Sequence, residues 1–132
     1  MVDKLNFVDN EIKYFEFIRK LRNDERVQDG FIDNLPYITE AQQIKYMEIY
    51  KDNFYVCLEN DIPVGYIRQI DGDIGVCTHP DHWGKGIGEF LINELMEIHP
   101  ECFAKVKLNN EASVRAFEKA GFKKKYYLME RD

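Results

Sequence analysis

The residues best suited to chemistry gather in one stretch, HPDHWGKGIGEFL, from His79 to Leu91. Gly84, Gly86 and Gly88 alternate with Lys85 and Ile87, and strong helix formers follow. A strand running through Thr78 delivers the chain into this turn, and the turn opens a helix from about residue 86. The first N–H groups of a helix have no partner within it, and the macrodipole adds positive potential there. Glycine lets a backbone approach a ligand closely. The expected product is an anion cradle suited to a phosphate or pyrophosphate.

Two familiar phosphate loops do not fit. Lys85 is followed by Gly86 rather than Ser or Thr, so this is not a Walker A loop. The G-x-G-x-G spacing, without a parallel βαβ unit at the start of the chain or a ribose-binding acid about twenty residues on, is not a Rossmann fingerprint. Cys77, His79, Asp81 and His82 are metal-competent side chains within six residues. One extended segment, stiffened by Pro80, cannot easily bring all four onto a tetrahedral centre, so no metal is expected.

The elements that must position the turn can be read around it. Residues 4–8 read as a short first strand. Tyr14, Phe17, Ile18 and Leu21 fall at i, i+3, i+4, i+7 and predict a helix, broken by polar residues ending on Gly30. Thr39 with Gln42 three residues on is a capping box that opens a second helix. FYVCLE (54–59), VGYIRQI (64–70) and DIGVCT (73–78) read as an antiparallel meander, with turns at Asn60-Asp61-Ile62-Pro63 and Asp71-Gly72. After the glycine turn, Ile87, Leu91, Leu95 and Ile98 form one helical stripe ending before Pro100. CFAKVKL (102–108) alternates like a strand. Asn110 N-caps a helix over 111–120, which Gly121 ends as a left-handed residue with Phe122 packing after it. KKYYLM (124–129) reads as a last strand. The order predicts a mixed α/β sheet with helices on its faces.

Composition narrows the class. The 132 residues fit a single domain over 1–132, and a 45% hydrophobic content builds a core without staples. No apolar run is long enough to span a membrane, and the N-terminal MVDKLNFVDNEIKYF does not read as a secretion signal. Cys57, Cys77 and Cys102 are an odd number set in apolar runs, so they read as core residues in a reducing, cytoplasmic setting. A net charge of −6 argues against nucleic-acid binding. Lys105, Lys107, Lys119, Lys123, Lys124 and Lys125 nevertheless gather in the last thirty residues. They form either a solvated surface or the basic ground for one anionic small molecule.

The glycine turn followed by helix, strand and NNEASVRAFEKAGF resembles the GNAT acyltransferase superfamily. That family carries Arg or Gln, two residues, Gly, one residue, then Gly or Ala between its fourth strand and a helix; here the positions are Trp83, Gly86 and Gly88. A second family pattern matches Asn110, Ser113, Phe117, Gly121 and Phe122. The likeness covers residues 54–129 and extends more loosely to the N-terminal helices. There LRNDERV and ITEAQQIKYM look like the branch of ribosomal-protein N-terminal and amino-sugar N-acetyltransferases.

The resemblance implies a central sheet of six to seven strands with helices on both faces. It also implies acetyl transfer from acetyl-CoA to a primary amine by direct attack in a ternary complex. The backbone of Val76, Cys77 and Thr78 would bond the pantetheine arm, with the N–H at or near Thr78 polarising the thioester oxygen. Trp83, Gly84, Lys85, Gly86, Ile87 and Gly88 would meet the pyrophosphate, and Asn110, Ser113 and Phe117 would line the arm. Gly75 suits a bulge. Phe117 stands where many relatives carry a tyrosine acid, leaving Tyr126, Tyr127 or water to protonate the thiolate. Asp73 is the first candidate for the base, ahead of Glu59, Asp71, Glu111 and His79. The acceptor is a small molecule or peptide amine, and relatives of this kind often form homodimers. The rival from another class is a catalytically idle acyl-CoA-binding module, kept open by Phe117.

Overall fold

Turn chemistry builds the sheet. The computed structural model describes residues 4–32 and 36–132. Asp71 and Gly72 adopt φ of 54° and 85°, and Asn60 and Asp61 adopt 50° and 70°. Both connections are therefore two-residue turns with two positive φ values, the kind whose twist matches that of the flanking strands. They join β2 (Phe54–Glu59), β3 (Ile62–Ile70) and β4 (Asp73–Thr78), and β1 (Leu5–Asp9) adds to β2. All pairs are antiparallel in the order β1-β2-β3-β4. Ile62 and Pro63, expected in the turn, belong to β3.

Alternation along the strands feeds two cores. Phe54, Val56, Leu58, Tyr66 and Cys77 face α1 (Phe15–Asn23), α2 (Glu25–Gln28) and α3 (Glu40–Tyr50) through Ile18, Leu21, Val27 and Met47. Cys57, Val64, Ile67 and Ile74 face α4 (Ile87–Ile98) and α5 (Glu111–Lys119) through Ile87, Leu91, Ile92, Leu95 and Phe117. Ile98, expected on the buried stripe, is half exposed, and Ile92 is buried in its place. The capping box at Thr39 and Gln42 forms with both of its hydrogen bonds.

The α5 helix is fixed at both ends. Asn110 Oδ1 accepts from the Ser113 N–H at 3.2 Å. Gly121 N–H donates to Glu118 and Phe122 N–H to Phe117, the two bonds of a Schellman motif, and the Phe117 and Phe122 rings meet edge-on at 5.1 Å. Asn110→Ala should lower stability by about 1 kcal/mol, read as a shifted denaturant midpoint at unchanged slope.

Four expectations are corrected. The sheet has four strands among the described residues, not six to seven. The 102–108 segment pairs with β4 only at a parallel bridge between Asp73 and Phe103. There Ile74 N–H donates to Phe103 and Phe103 N–H to Gly72, at 2.9 and 2.8 Å. Residues 124–129 form no strand and are exposed. A strand needs an edge to pair with, and lysines on both segments (Lys105 and Lys107 against Lys123, Lys124 and Lys125) oppose their alignment. The bulge expected at Gly75 is absent there: Gly75 pairs regularly with Arg68, whose guanidinium occupies the space a Cβ would need. The irregularity instead lies between β2 and β3, where Cys57 pairs with Gly65 and Leu58 with Pro63, leaving Val64 as the extra residue.

Candidate active site

The outward edge of β4, paired with the 102–108 segment only at the Asp73–Phe103 bridge, leads into the glycine turn, and this slot between the two segments is the candidate site. His79 N–H donates to Val64 at 2.8 Å, which sets the phase of the β3–β4 ladder. Backbone polar groups alternate sides along an antiparallel strand. Those of Cys77 and Gly75 therefore point to β3, while those of Ile74, Val76 and Thr78 point outward. The Ile74 N–H is taken by Phe103 at the bridge. Beyond that bridge the 102–108 segment makes no further strand pairing with β4, so Val76 and Thr78 line an open edge. The register thus offers Val76 and Thr78 to a ligand but not the backbone of Cys77, which the sequence reading had included.

At the mouth, Gly84 and Gly86 have φ of 83° and 79°, and a Cβ on either would meet nothing within 4 Å. Their glycine identity serves backbone conformation and an open face, not packing. Gly86 is the N-cap of α4 and supplies no side-chain cap, so the N–H groups of the first turn are uncommitted. Gly88 lies between Thr78 Oγ1 and the Ala116 Cβ, each 3.9 Å from where its own Cβ would be, and this brings α5 to the slot. The Trp83 indole N–H donates to the Thr78 carbonyl at 2.9 Å, tying the turn to the strand that precedes it.

Charged groups brace the turn from elsewhere in the chain. Arg26 on α2 holds Asp24 at 2.7 Å and reaches Asp81 at 3.4 Å. Hydrogen bonds from Arg26 hold the Asp24 carboxyl down at about 2. Glu59, at the end of β2, lies 3.3 Å from Lys85 and 3.5 Å from His82. On the other wall, Lys107 Nζ donates to the Asp29 carbonyl at 2.9 Å, and Gly30 packs near the Asn110 amide. The 24–30 segment therefore touches both sides of the slot. Apart from the local Asp24–Arg26 pair, nothing local in the sequence marks these contacts, because each joins residues far apart in the chain.

The proposed catalytic residues separate. Thr78 is at the mouth. Asp73 is at the bridge, about 17 Å away at roughly 3.3 Å per residue. It is partly exposed and 3.8 Å from Lys105. Tyr126 is 92% exposed and packs against neither wall, so the structure does not bring it to the slot. Phe117 is buried against Phe122. Among the other base candidates, Asp71 is exposed in its turn and Glu111 pairs loosely with Arg115. His79 Nδ1 accepts from the Asp81 N–H. Among the described residues no group of three His, Cys, Asp or Glu side chains could hold a metal ion, and no helix is long and apolar enough to cross a membrane.

A strand edge opened beside an uncapped, glycine-flanked helix start is an arrangement chemically suited to an extended ligand with an anionic head. The model of the acetyltransferase (GNAT) family matches residues 15–122, and the chain belongs to that family. It is 32% identical over 79 residues to the L-amino acid N-acyltransferase MnaT of Escherichia coli (strain K12), a match covering 48% of this chain and 46% of the relative. The matched part thus spans less than half the length of that curated relative. Among solved structures, the spermidine N-acetyltransferase of Vibrio cholerae in complex with CoA and spermine superposes with a TM-score of 0.79 at 19% identity, over 96% of this chain and 85% of that one. YncA of Salmonella typhimurium with its cofactor acetyl-CoA gives 0.73 at 21%, over 90% and 79%. At these identities the superpositions show the fold.

Proposed function

We propose that this protein binds acetyl-CoA along β4 and transfers the acetyl group to a primary amine. The observation that carries the proposal is the coincidence of the outward Val76–Thr78 edge with the open, uncapped start of α4. The backbone N–H groups from Gly84 to Gly88 take the pyrophosphate, and Val76 and Thr78 bond the arm as an added strand would. When bound, acetyl-CoA supplies the activated thioester. The arm is comparable in length to β4, so the reacting end lies toward the bridge, and the Val76 N–H is the deeper of the two donors that can polarise the thioester oxygen. Asn110 and Ser113, at the start of α5, stand on that helix's side, with Phe117 buried in the core behind them.

The acceptor must arrive neutral, although a free amine of the lysine type has a pKa of ~10.4. Asp73, at the deep end of the slot, accepts the proton directly or through one water. The departing thiolate has a pKa near ~8.5 and leaves without an acid from Phe117 or Tyr126. Cys77 does not form a covalent intermediate: burial, with the Asp24 charge as a smaller cause, pushes its thiol up to about 12, so it stays protonated at neutral pH. Intact mass after incubation with acetyl-CoA should therefore show no acetyl adduct on the protein.

A small-molecule amine fits best as acceptor. MnaT is named for L-amino acids, the Vibrio cholerae enzyme holds spermine, and Asp71 and Asp73 flank the deep end here with negative charge. The test is calorimetric titration with acetyl-CoA, using ATP and desulfo-CoA as controls, followed by CoA release against L-amino acids, polyamines and amino sugars. Asp73→Asn should cut kcat by about 10- to 100-fold and leave acetyl-CoA affinity intact. Phe117 favours a second reading, an acyl-CoA-binding module without catalysis. Tight CoA binding with no amine-dependent CoA release across the panel would select it.

A further inference from the structure

We infer that Glu59 is a positioning residue for the glycine turn, acting through Lys85, and that the Lys85 side chain is the partner of this carboxylate rather than a ligand of the phosphates. The inference rests on the proposed cofactor site. Glu59 pairs with Ile62 at the closed end of the β2–β3 hairpin, so its backbone is fixed by the sheet. Its side chain is only 11% exposed although it lies beside the exposed 83–86 turn.

Lys85 Nζ sits 3.3 Å from Glu59 Oε1 and 3.1 Å from His82 Nδ1. An ammonium has three protons to donate and no lone pair, so Lys85 donates to Glu59, with the His82 ring beside the pair. Lys85 is also the residue between Gly84 and Gly86, the two left-handed glycines. A chain flanked by glycines loses more freedom on ordering than any other, and here no packing offsets that loss, since neither glycine has a neighbour where a Cβ would stand. The turn is tied before Lys85 by the Trp83 indole and after it by the first bond of α4, Phe90 N–H to Gly86. Between them the Lys85 side chain is the tether to the sheet, and Glu59 is its anchor.

The two roles open to Lys85 predict opposite signs. If Lys85 touches the phosphates, Glu59 neutralises it, and removing Glu59 tightens binding. If Glu59 and Lys85 act as one tether, removing either weakens binding equally. The experiment titrates CoA into the wild type, Glu59→Ala, Glu59→Gln, Lys85→Ala and the Glu59→Ala/Lys85→Ala double variant, with unfolding midpoints measured alongside. The expected result is a loss of about three- to tenfold in each alanine single, no further loss in the double, and a milder effect for Glu59→Gln, which keeps an acceptor oxygen. With an amine acceptor in hand, the loss falls in KM for acetyl-CoA and not in kcat. Tighter binding in Glu59→Ala, or additive losses in the double, overturns the inference. Amide exchange at Gly84 to Gly88 reads the tether without a ligand: both alanine singles should speed it equally, and unaltered exchange also overturns the inference. Failure of the wild type to bind CoA removes the proposed function and leaves the exchange result to decide the tether.

Discussion

Replacing Gly86 by Glu should abolish acetyl-CoA binding, with at least about a 100-fold loss of affinity by calorimetry, while the protein stays folded. Three costs act together. Gly86 has φ of 79°, a conformation that costs an L-residue roughly 1–2 kcal/mol. The new side chain projects into space that holds no protein atom within 4 Å, so it packs against nothing and obstructs whatever the turn cradles. Its carboxylate also sits at the N-cap of α4, where it would satisfy the helix's free N–H groups itself and repel a second anion. The same capping offsets part of the backbone strain, so the unfolding midpoint should move far less than the affinity. Binding kept within about tenfold of the wild type would show that the pyrophosphate lies elsewhere.

Gly65→Ala should act through packing. A Cβ there would lie 2.9 Å from the Cys77 carbonyl, 3.3 Å from Ile87 Cγ2 and 3.3 Å from Leu91 Cδ1. The first distance is shorter than side-chain atoms tolerate, and the carbonyl belongs to β4 and cannot rotate away. Ile87 and Leu91 are fully buried, so α4 itself must lift from the sheet. Overpacking of this kind costs about 1–3 kcal/mol. Because α4 begins at Gly86, the displacement also moves the cradle away from Thr78. Chemical denaturation should show the stability loss, and CoA affinity should fall with it. A variant that loses stability yet binds CoA as tightly as the wild type would show that the cradle does not depend on how α4 seats on β3.

These two glycines differ in how visible they are beforehand. Gly86 stands out because its neighbours Gly84 and Gly88 share its spacing and a helix follows. Gly65 sits unremarked within a strand, and its role appears only once Leu91 is known to pack over it. The same contrast runs through the fold. The meander, the Asp71-Gly72 turn, the Thr39 capping box and the ends of α5 are written in residues close in sequence, and they form as read. The 102–108 and 124–129 segments carry strand-like alternation, but alternation states only that a segment could pair. Whether an edge waits for it depends on distant residues. The site divides likewise. The glycine turn was legible from its spacing, and the edge of β4 came only with the family resemblance, which also included Cys77; the choice of Val76 and Thr78, and the hold of Glu59 on Lys85, needed the register. The braces from Arg26 and Lys107 had no signal at all.

The bond from the Trp83 indole to the Thr78 carbonyl has a consequence for the grammar of the slot. At the mouth, Thr78 keeps a donor to offer while its acceptor is already engaged. At the bridge, Ile74 has spent its donor on Phe103 and keeps its acceptor. Val76, between them, retains both. The edge therefore has a polarity, donor outermost and acceptor innermost, which an amide-bearing chain would meet better in one direction than in the other. A ligand threaded the other way would set donor against donor at the entrance. For the acetyl-CoA arm proposed above, two hydrogen bonds that never touch it would thus favour one heading.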